Sequence, residues 1–170
     1  MPLEFQTLLD CGLETAARTV TLGFTDYFIP IQITPAGLMQ MVRQDSVDLG
    51  LSRLVLRDGE PAAAALIARR GWTSRLAGMA VVPGARGSGV GKVCVERLLA
   101  EARERGDHGM TLEVIQQNTP ALRLYERCGF RIWRGLAGFA AQAGTAVPDG
   151  AAVEDSEPLE AVDLRSVAAA

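Results

Sequence analysis

Residues 80–92 read Ala-Val-Val-Pro-Gly-Ala-Arg-Gly-Ser-Gly-Val-Gly-Lys, and no other stretch restricts the fold as much. Pro83 has no N–H to give a sheet ladder, so a strand running up to Val82 must stop there. Beyond it Val90, Val93, Cys94, Leu98 and Ala102 fall on one helical face, while Lys92, Glu96, Arg97, Glu101 and Arg103 fall on the other. The chain is therefore bound to make a strand, a glycine-rich turn and a long helix in succession. Such a turn suits anions, because glycines let the backbone approach closely and the first helical N–H groups lack intrahelical acceptors. A Walker A loop is ruled out: counting back from Gly91-Lys92 puts Arg86 at its first glycine and Val93 at its metal-binding hydroxyl. A dinucleotide fingerprint fails as well, since Lys92 stands where its third glycine belongs and the preceding strand joins a hairpin.

That hairpin is announced by Asp58-Gly59 between apolar runs at 51–56 and 61–68, and residues 72–82 supply a third antiparallel strand after Arg70-Gly71. Upstream, residues 4–9 read as a first strand and residues 13–24 as a helix, followed by the aromatic segment Tyr27-Phe28-Ile29-Pro30. Thr34-Pro35 predicts an N-cap and first residue of a second helix, ending near Ser46. Downstream, Gly106 closes the long helix, 110–115 is a strand, Pro120 opens a short helix closed by Gly129, and 130–134 is strand-like. Residues 138–140 read as a last return strand. Residues 143–158 have a linker's composition, and 159–167 is weakly amphipathic.

At 170 residues the chain has room for one domain. Its formal charge of −3 is uneven: residues 1–136 carry 16 basic and 14 acidic side chains, residues 137–170 one basic and six acidic. A body so near neutrality lacks the footprint that neutralising nucleic-acid phosphates requires. No apolar run approaches the roughly 20 residues of a membrane span, and the N-terminus does not resemble a signal peptide, so no membrane partner and a cytoplasmic location are expected. The three cysteines, Cys11, Cys94 and Cys128, are too far apart for a thiolate metal site or a disulfide framework, and no metal is expected.

What remains is Arg86-x-x-Gly89-x-Gly91 after Val82-Pro83, followed downstream by Leu112-Glu113-Val114 and Asn118-Thr119-Pro120-Ala121-Leu122-Arg123-Leu124-Tyr125-Glu126-Arg127-Cys128-Gly129-Phe130. In this order the two segments resemble the GNAT superfamily of acyl-CoA N-acyltransferases, over residues 3–140. The resemblance implies a mixed α/β (α+β) fold. Its mostly antiparallel, splayed central sheet would have about six or seven strands and about four helices. It assigns residues 1–142 to the acetyltransferase domain and leaves 143–170 as an acidic, Ala-rich linker or tail, disordered or docking. It further implies acetyl-CoA as cosubstrate and direct transfer of the acetyl group to a primary amine, on a small molecule or a peptide or protein N-terminus. The alternative is a catalytically silent acyl-CoA sensor. A homodimer is compatible with either.

The resemblance also assigns roles. Backbone groups of Val81 and Val82 would bond the thioester carbonyl and pantetheine, and the stretch Arg86, Gly87, Ser88, Gly89, Val90, Gly91 and Lys92 would hold the pyrophosphate. Asn118 would lie beside the pantetheine arm, although an N-cap explains it equally. Tyr125 would protonate the departing thiolate, or else pack in the core. Glu113 is the candidate base for the amine, against the alternative of a solvent-facing strand carboxylate. Tyr27, Phe28 and Ile29 would border the acceptor pocket, or else belong to the core. Cys94 and Cys128 read as core thiols, and His108 as a loop histidine.

Overall fold

In the computed structural model, which describes residues 2–137 and 160–167, the sheet grows from one tight turn. Asp58 and Gly59 both take positive φ, 56° and 82°, the geometry that matches the twist of two flanking strands. β2 (Val47–Arg57) and β3 (Glu60–Arg70) pair antiparallel from Arg57↔Glu60, and β4 (Thr73–Val81) returns along β3. β1 (Leu3–Thr7) adds to the far side of β2. It is shorter than the sequence reading, because the Thr7 hydroxyl accepts the Asp10 N–H and turns Leu8–Cys11 into a one-turn helix, α1. α2 (Leu13–Gly23) and α3 (Pro35–Gln44) follow, the latter capped by Thr34 as its sequence predicts.

After β4 a short 3-10 turn (Pro83–Ala85) leads to α4 (Val90–Glu104), then β5 (Gly109–Ile115), α5 (Thr119–Arg127) and β6 (Arg131–Ala137). A seventh strand, β7 (Glu160–Val167), lies between β5 and β6 and is antiparallel to both, giving the order β1-β2-β3-β4-β5-β7-β6. Residues 160–167 thus belong to the sheet, not to a tail outside it. The expected strand at 138–140 and the linker at 143–158 lie outside the described residues. Among those described, no helix is long and apolar enough to cross a membrane.

β3 is buried throughout 62–68, and its small side chains let helices approach on both faces. Ala63, Ala65 and Ile67 join the core shared with Val95 and Leu98 of α4 and Tyr125 of α5. Ala64, Leu66 and Ala68 join the core beneath Leu8, Ala16, Val20 and Leu38 of the first three helices. Burying each large aliphatic side chain contributes about 1.5–3 kcal/mol. One helical assignment shifts: Val93 is exposed, whereas Glu101 is buried, drawn inward by Arg53 of β2 at 2.9 Å and by Arg97 at 2.7 Å.

Candidate active site

β4 and β5 run parallel and pair only from Thr73↔Gly109 to Leu76↔Leu112. At that point β4 bulges: Ile67 faces Leu76 and Leu66 faces Gly78, so Ala77 is the extra residue. β4 then continues to Val81 along β3 alone, and β5 continues to Ile115 along β7 alone. A gap opens between them. Val82 donates its N–H to Ala62 at 3.0 Å, and Ala80 sits opposite Ala64. Backbone groups alternate sides along an antiparallel strand, so Met79 and Val81 turn theirs toward the gap. Of the two residues the sequence singles out, Val81 therefore faces the gap, its C=O accepting from Arg86 Nε at 3.2 Å, and Val82 does not. Both groups of Val82 are engaged, its C=O accepting from Ala85 N–H at 2.9 Å.

The glycine-rich turn stands at the open end of this gap. Gly87 and Gly89 have φ of 73° and 85°, a region that side chains strain to adopt, and a Cβ at either would meet open space. Gly89 is the N-cap of α4 and no side chain caps the helix, so the first-turn N–H groups of Val90, Gly91 and Lys92 have no acceptor within the helix. Together they form a cradle that an anion fits, with the positive end of the α4 dipole behind it. Gly91 marks where three elements meet. A Cβ there would lie 3.3 Å from Leu124 of α5 and from Met79, and 3.6 Å from Val81. The Ser88 hydroxyl donates to Ala85 C=O at 2.7 Å and accepts from Arg57 Nη1 at 3.0 Å, while Arg57 Nη2 donates to Gly84 C=O at 2.9 Å. Arg57 is thus a brace for the turn that carries no sequence signal. Lys92 makes a surface pair with Glu96 at 3.6 Å, which leaves its charge near the cradle.

α5 closes the same gap from the side of α4. Asn118 caps it, its Oδ1 accepting from Ala121 N–H at 3.3 Å, so the capping explanation holds whatever else its side-chain amide touches. At the other end Gly129 has φ 90°, Phe130 N–H bonds Tyr125 C=O, and the two rings pack edge to face at 5.8 Å. This Schellman-type ending fixes the Tyr125 ring in the core. Burial pushes its hydroxyl well above the ordinary phenol range, and Tyr27, Cys94 and Cys128 act in the same direction. The hydroxyl makes no hydrogen bond among the described residues, and the residue as a whole is 8% exposed. Tyr27 packs edge to face between Phe24 at 4.9 Å and Phe28 at 5.3 Å, with Phe28 and Ile29 exposed. The segment is an aromatic rim, and not core.

Glu113 is the first residue of β5 past the last pair with β4. Its neighbours Leu112 and Val114 face the α4–α5 core, so Glu113 points to the opposite side, where it is 54% exposed with Arg75 Nη1 3.8 Å away. The carboxylate is solvated and loosely paired, contrary to the burial cost on which its sequence assignment leaned. His108 stacks on the exposed Trp72 at 5.9 Å, at the opposite end of β5. Among the described residues no cluster of metal-ligating side chains occurs.

Residues 25–130 match the family model described as "Acetyltransferase (GNAT) family". Over 75 residues, 43% of this chain, the sequence is 40% identical to streptothricin acetyltransferase of Streptomyces lavendulae, and it spans 40% of that protein's length. The fold is similar to the crystal structure of the ribosomal-protein-S18-alanine N-acetyltransferase from Escherichia coli, with a TM-score of 0.71 and 19% identity over 98% of this chain and 94% of that one. It is also similar to a Bacillus subtilis acetyltransferase in complex with CoA, with a TM-score of 0.66 and 17% identity over 99% of this chain and all of that one.

Proposed function

Since the chain belongs to the acetyltransferase (GNAT) family, we propose that it moves the acetyl group of acetyl-CoA directly onto a primary amine within one ternary complex. Bound acetyl-CoA supplies an activated thioester, and everything else is asked of this chain's residues. The uncapped amides of Val90, Gly91 and Lys92 receive the pyrophosphate, and the backbone groups of Met79 with the N–H of Val81 orient the pantetheine and the thioester carbonyl. Asn118 borders the arm with its side-chain amide. Tyr125, which burial keeps neutral, passes its proton to the sulfur that leaves and is restored by the second proton that the attacking nitrogen sheds as the amide forms. On the other side of the sheet Glu113 takes a proton from the amine, directly or through water, since an ammonium has no lone pair with which to attack. Tyr27, Phe28 and Ile29 form the rim that an acceptor meets.

The carrying observation is the gap itself: an anion cradle, a strand edge with no partner strand and a buried phenol converge where β4 and β5 part. Direct transfer, without an acetyl-enzyme, agrees with the state of the nearby thiols. Burial pushes Cys94 up to about 12 and raises Cys128, so neither supplies a thiolate nucleophile at neutral pH. The relatives differ in acceptor, one named for streptothricin and one for an alanine of a ribosomal protein, so both small amines and N-termini belong in the test. The experiment is release of CoA thiol from acetyl-CoA over a panel of both. Turnover matched one to one by acetylated amine is expected. Tight acetyl-CoA binding with no turnover on any amine would favour the silent sensor.

A further inference from the structure

An exposed arginine that opens an anion-binding turn is an obvious phosphate ligand, yet the Arg86 guanidinium is committed elsewhere. Nε donates to Val81 C=O at 3.2 Å, and Nη2 donates to Gly23 C=O at 3.1 Å and to Thr25 C=O at 2.9 Å. Gly23 ends α2, where carbonyls lack intrahelical donors and carry the negative end of the helix dipole. The planar guanidinium fork spans all three oxygens, which a lysine cannot do. One side chain thus joins the end of β4, the end of α2 and, through its own backbone, the glycine turn. Thr25 leads directly into the rim of Tyr27, Phe28 and Ile29, a stretch without helix or strand. Of its backbone, Tyr27 N–H bonds Phe24 C=O at 3.1 Å, a contact local to the same bend. Arg86 is its tie to the turn.

We propose that Arg86 is a positioning residue for the acceptor rim, and that it links occupancy of the cosubstrate turn to order in residues 22–29. When the turn's amides close on pyrophosphate they fix the Arg86 backbone, hence the guanidinium, hence the carbonyls at the end of α2. An acceptor then meets a rim already in place once acetyl-CoA is bound. The inference rests on the proposed role of the turn in holding CoA.

Hydrogen exchange by mass spectrometry on the full chain, with CoA as the probe, tests both levels and needs no known acceptor. In the wild type CoA should slow exchange at 87–92 and also at 22–29. In Arg86→Met, exchange at 22–29 should be about tenfold faster without CoA and indifferent to it, while protection at 87–92 survives. Arg86→Lys should follow Arg86→Met, and it carries the test should the methionine variant fail to fold. Loss of CoA protection at 87–92 in both variants would overturn the proposal by making the guanidinium a phosphate ligand. Protection of 22–29 that persists in the variants would overturn it too. Wild-type protection at 87–92 with none at 22–29 sinks the coupling alone, whereas no protection at 87–92 removes the cosubstrate reading beneath it.

Discussion

A single methyl group at Gly23 should loosen the contact between α2 and the sheet. A Cβ built there would lie 2.5 Å from Ala80 Cβ, 3.0 Å from Ala80 C and 3.1 Å from Ala80 Cα. Carbon atoms settle at about 3.5–4.0 Å, so the end of α2 must lift by roughly 1 Å. Two of the nearest atoms are backbone of a central strand and cannot swing aside. Overpacking of this kind costs about 1–3 kcal/mol, offset by up to about 1 kcal/mol from replacing glycine in a helix. The net loss for Gly23→Ala is about 1–2 kcal/mol, or a fall in Tm of roughly 2–8 °C at the ~2–4 °C per kcal/mol expected for a domain of this size. Calorimetric melts of the wild type, Gly23→Ala, Ala80→Gly and the double variant measure it. Ala80→Gly removes the closest atom but leaves the strand backbone, so the double variant should recover part of the loss, with a coupling of about 1 kcal/mol. An unchanged or raised Tm for Gly23→Ala would refute the reasoning, as would strict additivity in the cycle.

Gly89→Asp places a carboxylate on an N-cap with φ 85°, beside the amides assigned to pyrophosphate, and should weaken CoA binding far more than it lowers Tm; titration calorimetry compares the two. Tyr125→Phe keeps the packed ring and removes the proton donor, so CoA affinity should survive while kcat falls by about 10²–10⁴. Glu113→Gln should show a deficit that shrinks as pH approaches the amine's own pKa, and a constant deficit in the pH–rate profile would dismiss it as the base. Burial alone would raise the Asp107 pKa, but hydrogen bonds from Ser74, Arg69 and Arg105 outweigh it and hold the carboxyl below its usual value. A depressed folded pKa contributes stability that is present above the unfolded value and lost as pH falls through the folded one. Urea midpoints of the wild type should therefore drop below about pH 4, and Asp107→Asn should flatten that acid limb at a cost near neutrality.

Where local chemistry decides the structure, the sequence was sufficient to read it. Asp58-Gly59, Thr34-Pro35, Gly106 and Gly129 each require a particular turn or cap, and each occurs as expected. α1 was legible in principle, since Thr7-Leu8-Leu9-Asp10 places a cap three residues before an acid, but the apolar run masks it. Glu101 could not be placed from periodicity, because it is buried by an arginine 48 residues earlier. The same limit hid Arg57 and the engagement of Arg86, whose partners lie 61 and 63 residues upstream. β7 escaped because its alternation, Val162-Asp163-Leu164-Arg165, is only four residues long and follows a stretch of linker-like composition, although Leu164 is buried in the core. The candidate site was legible as a list of residues. The parting of two strands that shapes it was implied by the family resemblance, but the bulge at Ala77 that marks where they part was not legible.

The position of β7 also has a consequence for the order in which the molecule can be completed. β5 and β6 run the same way and leave a strand-wide slot between them, filled by residues emerging from the ribosome after both. Until then the half of β5 that bears Glu113 has no neighbour on either side, since β4 has already turned away. A nascent chain with that slot open exposes two unpaired strand edges at once, the surface on which strands from other chains recruit themselves. Chaperone dependence should therefore be concentrated in the interval between the emergence of β6 and that of β7, after the cradle for the cosubstrate is already built.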